Sequence, residues 1–320
     1  MKVTNKMIAK ELRLMGALYR PITSLALPKK SKSVKNSKKK KTCSSRIKFN
    51  HYIPRPDNTM MRLLIVKPQK PESTTGVLWL HGGGYVIGQP EMMKMSMAGK
   101  ISSEYVLVSP EYTLATEKPF PAALDDCYTA LIWMKEHADE LGISPDMIIV
   151  GGESAGGGLT AALSLYARDK GEVNIICQIP LYPMLDDRMQ THSMINNNAP
   201  VWDYVNNKKA WNMYLDGATG DEVSKYAAAA RETDYSELPP TITFAGDIEP
   251  FYDETAEYVR HLKKAGVPVA FKKYEGCFHA FDMTVPWSPQ AKDAAAFVMR
   301  NLHTAVKKAE KKRILDNLEV

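Results

Sequence analysis

The sequence predicts an α/β fold on a mainly parallel sheet, and three features of its 320 residues carry that prediction. Strand-like and helix-like stretches alternate on both sides of a break at 182–235, the rhythm of right-handed βαβ crossovers. Several strand candidates, such as Gly76–Val77–Leu78–Trp79–Leu80, are continuous apolar runs, as expected where both faces of a strand are covered. Lastly, Met147–Ile148–Ile149–Val150 leads into Gly151–Gly152–Glu153–Ser154–Ala155–Gly156–Gly157–Gly158, which reads as a buried strand, a sharp turn and the start of a helix. With 44% hydrophobic residues, the chain can bury a large core as one domain carrying an insertion.

In order along the chain, residues 5–19 place Ile8, Leu12, Met15 and Tyr19 on one helical face, and Pro21 and Pro28 are expected to break the pattern. The lysine-rich stretch 29–41 reads as a linker, so 1–45 is expected to hold an N-terminal helix and linker, and 46–320 the main domain. Residues 46–53 and 60–66 resemble two strands around the turn Pro54–Arg55–Pro56–Asp57–Asn58. The 76–80 run ends in His81–Gly82–Gly83–Gly84–Tyr85, whose glycines leave backbone N–H groups unshielded and able to donate to an oxyanion. A strand at 105–109 and a helix burying Ala123, Cys127, Ala130, Leu131 and Met134 come next.

Beyond Ser154, the residues Leu159, Ala162, Leu163 and Tyr166 fall on one helix face, and 174–179 continues the sheet. The 182–235 stretch carries Trp202, Tyr204, Trp211 and Tyr214 and is expected to be a helical insertion, either a lid or its packing core. A strand at 241–245 and a helix with Ala256, Val259 and Leu262 resume the alternation. The last strand is expected at 267–274 and is followed by the loop Glu275–Gly276–Cys277–Phe278–His279–Ala280–Phe281–Asp282. Ser288–Pro289 reads as an N-cap with proline at the first helical position, opening a helix with Ala295, Val298, Leu302 and Val306 inward.

Composition excludes some classes of function. The net charge is +6, but eight lysines lie in 29–41 without an acid, so the rest of the chain nets −2. Such local basicity points to a solvated segment, and no nucleic-acid partner is expected. The four cysteines, Cys43, Cys127, Cys177 and Cys277, are scattered, which fits a reducing cytoplasm. No signal peptide or membrane span is expected, since no apolar run approaches the required length.

Several motifs together resemble one family. They are His81–Gly82–Gly83–Gly84, residues 112–121, Gly152–Glu153–Ser154–Ala155–Gly156, Glu249–Pro250–Phe251–Tyr252–Asp253–Glu254 and His279–Ala280–Phe281. In order and spacing they resemble the hormone-sensitive-lipase-like esterases of the α/β-hydrolase superfamily. The resemblance implies an α/β-hydrolase fold, a mainly parallel central sheet flanked by helices with a helical cap. It implies Ser154 as nucleophile and His279 as base, in the chain order serine, acid, histidine. The acid is expected to be Glu249, where the family more often has aspartate, with Asp247 as the competing candidate. Gly82, Gly83, Gly84 and Ala155 are expected to supply the oxyanion hole, with Tyr85 and Glu153 shaping the substrate pocket.

The expected chemistry is hydrolysis of short-chain acyl esters through a covalent acyl-enzyme, with no metal or organic cofactor. Acetyl groups on carbohydrates or other small metabolites are an alternative substrate class, and a homodimer is possible. The competing reading is a non-catalytic ligand-binding protein, as in the plant gibberellin receptors, which resemble the same family. Such proteins tend to lose the histidine, whereas this chain keeps serine, histidine and acid.

Overall fold

A computed structural model describes residues 1–23, 46–69 and 73–318. The lysine run at 29–41 and Cys43 lie outside the described residues. The strands are β1 (Arg46–Pro54), β2 (Met60–Pro68), β3 (Gly76–Leu80), β4 (Val106–Pro110), β5 (Ile148–Glu153), β6 (Ile175–Leu181), β7 (Thr241–Gly246) and β8 (Val269–Tyr274). The α-helices are α1 (Arg13–Thr23), α2 (Ala98–Ile101), α3 (Ala122–Glu136), α4 (Ala138–Leu141), α5 (Ala155–Lys170), α6 (Tyr204–Tyr214), α7 (Tyr252–Lys264), α8 (Phe281–Thr284) and α9 (Pro289–Leu318).

The eight strands form one sheet in the order β1-β2-β4-β3-β5-β6-β7-β8. The β1–β2 and β2–β4 pairs are antiparallel, and all pairs from β4 onward are parallel. Every residue of β3 and β5 is buried, because the sheet is covered on both faces. Alternate residues face opposite layers: Leu78, Leu80, Ile148 and Val150 join the core under α3 and α5, whereas Val77, Trp79 and Ile149 join the one under α9. β4 and β5 flank β3 on opposite sides, so the chain reverses its direction of travel across the sheet at β3. In such sheets the crevice at the carboxyl ends beside a reversal is where ligands bind. The register pairs Leu80 with Gly152, which sets the loop after β3 beside the turn after β5.

Several details differ from the sequence reading. The N-terminal segment opens with a short 3-10 turn, Lys10–Leu12, and α1 runs through Pro21 to Thr23 instead of stopping before it. Pro21 lies in the last turn, where only one intrahelical bond is forfeited. In α9 the inward residue is Ala294, not Ala295, and the buried set is Ala291, Ala294, Val298, Leu302 and Val306. The predicted cap of this helix is present, with Ser288 Oγ accepting from Ala291 N at 3.1 Å. Helix α5 is buried nearly all round, while Tyr166 is only half-buried; a single inward face was too narrow an expectation. The reason is that the 182–240 segment, which contributes α6 and no strand, packs Leu185, Ala229, Tyr235 and Leu238 against Ala161 and Leu165 on the outer side of α5.

Candidate active site

The glycines around Ser154 are fixed by how closely the backbones approach. A Cβ on Gly152 would lie 2.4 Å from Gly156 O, and one on Gly156 would lie 2.0 Å from Leu80 O. Side chains at either position are incompatible with the turn. Ser154 itself sits at φ +58°, ψ −119°, a conformation that costs a non-glycine residue roughly 1–3 kcal/mol. The surroundings hold it there: Ser154 N donates to Leu181 O and Met184 N donates to Ser154 O, both at 3.0 Å. The strain turns Oγ away from the strand and up toward the carboxyl edge of the sheet.

Two loops from the far end of the sheet meet it there. His279, on the loop after β8, places Nε2 2.8 Å from Ser154 Oγ. Its Nδ1 is hydrogen-bonded to Oε2 of Glu249, from the loop after β7. Glu249 is fully buried, and Oε1 accepts from Gly246 N at 2.7 Å. Burial pushes its carboxyl upward, and the adjoining imidazole and the Gly246 N–H pull it back. Asp247 faces elsewhere: its Oδ1 accepts from Gly276 N at 2.7 Å and so anchors the loop that carries His279. Of the two candidate acids, only Glu249 meets the histidine in this structure.

The glycine loop after β3 closes the other side. A Cβ on Gly82 would lie 3.3 Å from Ser154 Cβ, so this residue packs directly against the serine. Gly83 and Gly84 have φ +122° and +60°, and Gly83 O accepts from Val86 N and Ile87 N at 3.1 Å. Among the described residues the N–H groups of Gly83, Gly84 and Ala155 donate to no other backbone carbonyl. His81 is buried under this loop with Nδ1 against Gly82 O at 2.8 Å, and burial lowers its pKa to about 4, so it is neutral there.

Tyr85, expected on the pocket wall, is enclosed: its ring stacks on Tyr214 at 3.9 Å and its hydroxyl donates to Met184 O at 3.2 Å. Glu153 is also buried, accepting from Trp79 Nε1 at 2.5 Å through Oε2, with Oε1 lacking a partner among the described residues. Burial pushes this carboxyl up to about 8, so it holds its proton at neutral pH. It therefore adds no negative charge beside the serine.

The sequence reading gave no role to two neighbours of His279, Tyr182 and Phe251. Tyr182, held at φ +34°, sets its ring edge-on to His279 with centroids 5.0 Å apart, and Phe251 does the same from the opposite loop. Ala280 has a left-handed backbone, φ +54°, where glycine would be unstrained. Phe251 and Ala280 lie within the quoted motifs, whereas Tyr182 carried no signal, because its role depends on packing. Among the described residues no group of His, Cys, Asp or Glu is arranged to hold a metal, and no helix is long and apolar enough to cross a membrane.

Residues 77–283 match a family model described as the alpha/beta hydrolase fold. The chain belongs to the α/β-hydrolase family. Within it, the chain is a hormone-sensitive-lipase-like esterase, a carboxylic ester hydrolase. It is 32% identical over 237 residues to carboxylesterase NlhH of Mycobacterium tuberculosis, covering 71% of this chain and 74% of that protein. It is equally 32% identical over 226 residues to an arylesterase of Saccharolobus solfataricus, covering 68% and 71%. Among solved structures, a bacterial heroin esterase superposes with a TM-score of 0.81 at 31% identity, over 96% of this hydrolase and 99% of that chain.

Proposed function

We propose that this esterase hydrolyses short-chain acyl esters through a Ser154–His279–Glu249 triad and an acyl-enzyme intermediate. The reading rests on one observation, the unbroken relay from Ser154 Oγ to His279 Nε2 and from His279 Nδ1 to Glu249. His279 takes the hydroxyl proton as Oγ attacks the ester carbonyl, and Glu249 fixes the tautomer and stabilises the imidazolium that forms. The tetrahedral oxyanion lies against the N–H groups of Ala155 and the Gly82–Gly83–Gly84 loop. His279 returns the proton to the leaving alcohol, then activates water to release the acid. Losing one oxyanion donor typically costs ~10²–10³ in rate, so the preset glycine loop supplies a large share of the catalysis.

The short-chain preference follows from enclosure. Ser154 and His279 are only 7% and 3% exposed, with Met184 N of the 182–240 segment on Ser154 O and the Tyr182 ring edge-on to His279. This segment and the N-terminal residues together act as a cap: Val3 N donates to Asn198 Oδ1, and Arg20 Nη1 donates to Asn198 O. Acetyl esters of small metabolites fit the same enclosure.

The test is hydrolysis of p-nitrophenyl esters from acetyl to decanoyl by the parent and three variants. The parent is expected to prefer acetyl and butyryl esters, with Ser154→Ala and Glu249→Gln nearly silent and Asp247→Asn largely active. Preference for decanoyl would overturn the enclosure argument. An inactive Asp247→Asn beside an active Glu249→Gln would move the acid to Asp247.

A further inference from the structure

The loop that carries Glu249 is only weakly held by its own backbone. Its internal bonds, Glu249 N to Gly246 O at 3.4 Å and Tyr252 N to Glu249 O at 3.5 Å, lie beyond the usual range for N–H···O contacts. Shorter bonds reach it from one stretch of the 182–240 segment. Asn197 Nδ2 donates to Ile248 O at 3.2 Å, and Ser193 Oγ donates to Pro250 O at 2.9 Å. The carbonyls on both sides of Glu249 therefore end on side chains more than fifty residues away. Asp253 completes the clamp: its N–H donates to Ser193 Oγ at 3.0 Å, and its Oδ2 accepts from Ser193 N at 2.7 Å.

The two clamping side chains are themselves fixed. Asn197 Nδ2 also donates to Ser193 O at 2.7 Å, while its Oδ1 accepts from Ala199 N at 2.8 Å, which sets the amide's orientation. Both residues are buried, so water offers these carbonyls no substitute partner. A few residues on, the Trp202 indole donates to Asn207 Oδ1 at 3.0 Å and lies flush on the glycine loop. A Cβ on Gly84 would come within 2.4 Å of Trp202 Cη2. One stretch thus touches both the acid loop and the oxyanion loop.

We propose that residues 193–202 are a brace: Ser193 and Asn197 are positioning residues for Glu249, and Trp202 is a positioning residue for the Gly83–Gly84 turn. The proposal rests on the reading of Glu249 as the acid. A brace acts on geometry, and small misplacements of catalytic groups can cost ~10²-fold in rate. Its loss should appear in kcat with little change in KM, because the substrate itself is not touched.

The experiment is a double-mutant cycle on p-nitrophenyl acetate. Asn197→Ala and Ser193→Ala are made in the parent and in Glu249→Gln, with melting temperature measured for each; the serine change is the milder should the asparagine variant not fold. In the parent, each is expected to lower kcat by roughly 10–100-fold at nearly constant KM. In Glu249→Gln the same change should cost several-fold less, since the group being positioned is already gone. Full additivity, or a change confined to KM, overturns the brace. If Glu249→Gln retains parental kcat, the acid assignment fails and the Glu249 arm falls with it. If Glu249→Gln is nearly silent but the costs still add, the brace alone fails. For Trp202, inhibition by an alkyl trifluoromethyl ketone, whose serine adduct needs the oxyanion donors, is expected to weaken at least ~10-fold in Trp202→Ala and to recover in Trp202→Phe. Equal inhibition of Trp202→Ala and parent overturns that arm.

Discussion

The turn around Ser154 and the 193–202 stretch both border the proposed active site, yet they are held by different forces. At Ser154 the constraint is steric: backbone meets backbone so closely that only glycine fits at 152 and 156. At 193–202 the constraint is polar: buried side chains from one segment end on carbonyls of another. Steric exclusion permits one residue type and so writes a motif. Long-range hydrogen bonding needs only a donor in the right place, and leaves an ordinary Ser or Asn in the sequence.

Breaking the steric region should have the largest effect. Gly156→Ala drives a Cβ into Leu80 O with backbone on both sides, which exceeds the ~1–3 kcal/mol of ordinary core overpacking. It is expected to yield little folded protein, as read by soluble expression and circular dichroism. A folded, active Gly156→Ala would show that the turn has slack. Next comes the chemistry itself: Glu249→Gln is expected to lower kcat by ~10³–10⁴ while leaving the melting temperature close to the parent's, because the amide can still meet Gly246 N.

Gly84→Ala probes the line where the two regions touch. Its Cβ would strike the Trp202 ring, and the left-handed φ adds strain, so kcat on acetyl esters should fall by at least ~10-fold. If Gly84→Ala costs less in a Trp202→Ala background than in the parent, contact with the indole is the cause; an equal cost in both backgrounds assigns the loss to backbone strain.

Glu153→Gln should act on stability through pH. The carboxyl's folded pKa of about 8 lies above its unfolded value, so between roughly pH 4.5 and 8 the native state holds a proton that the unfolded chain has lost. Native stability contributed by this group therefore declines as pH rises through that window. A glutamine keeps the acceptor for Trp79 Nε1 and removes the titration, so thermal melts of the variant should fall less between pH 5 and 8 than those of the parent. Parallel melting curves would contradict a buried neutral Glu153. The smallest effect is expected from Ala280→Gly, which relieves the left-handed strain but adds chain entropy, and should change stability by no more than about 1 kcal/mol.

This contrast also explains what could be read in advance. The strand order of burial, the glycine turn, the His279 loop and the Ser288 cap follow from local patterns of apolar residues, glycine and proline, and these were legible. The choice between Glu249 and Asp247 was not settled by spacing, since both lie in one loop two residues apart. Their different tasks follow from which loop each one reaches, Glu249 toward His279 and Asp247 toward Gly276. Ser193, Asn197 and Tyr182 were illegible for the same reason, and Trp202 was legible only as an aromatic of the insertion: their partners are distant in sequence. Tyr85 was legible as an aromatic beside the glycine loop, but its stacking on Tyr214 depends on a helix more than one hundred residues away.

The central claim is that Ser154 carries the acyl group, and rapid-quench intact-mass spectrometry with p-nitrophenyl acetate tests it most directly. The account predicts a burst of p-nitrophenol matched by a transient acetyl adduct that maps to Ser154 and is absent from Ser154→Ala. Turnover without an adduct at any quench time, or an adduct that persists at another residue in Ser154→Ala with parental turnover, would contradict it.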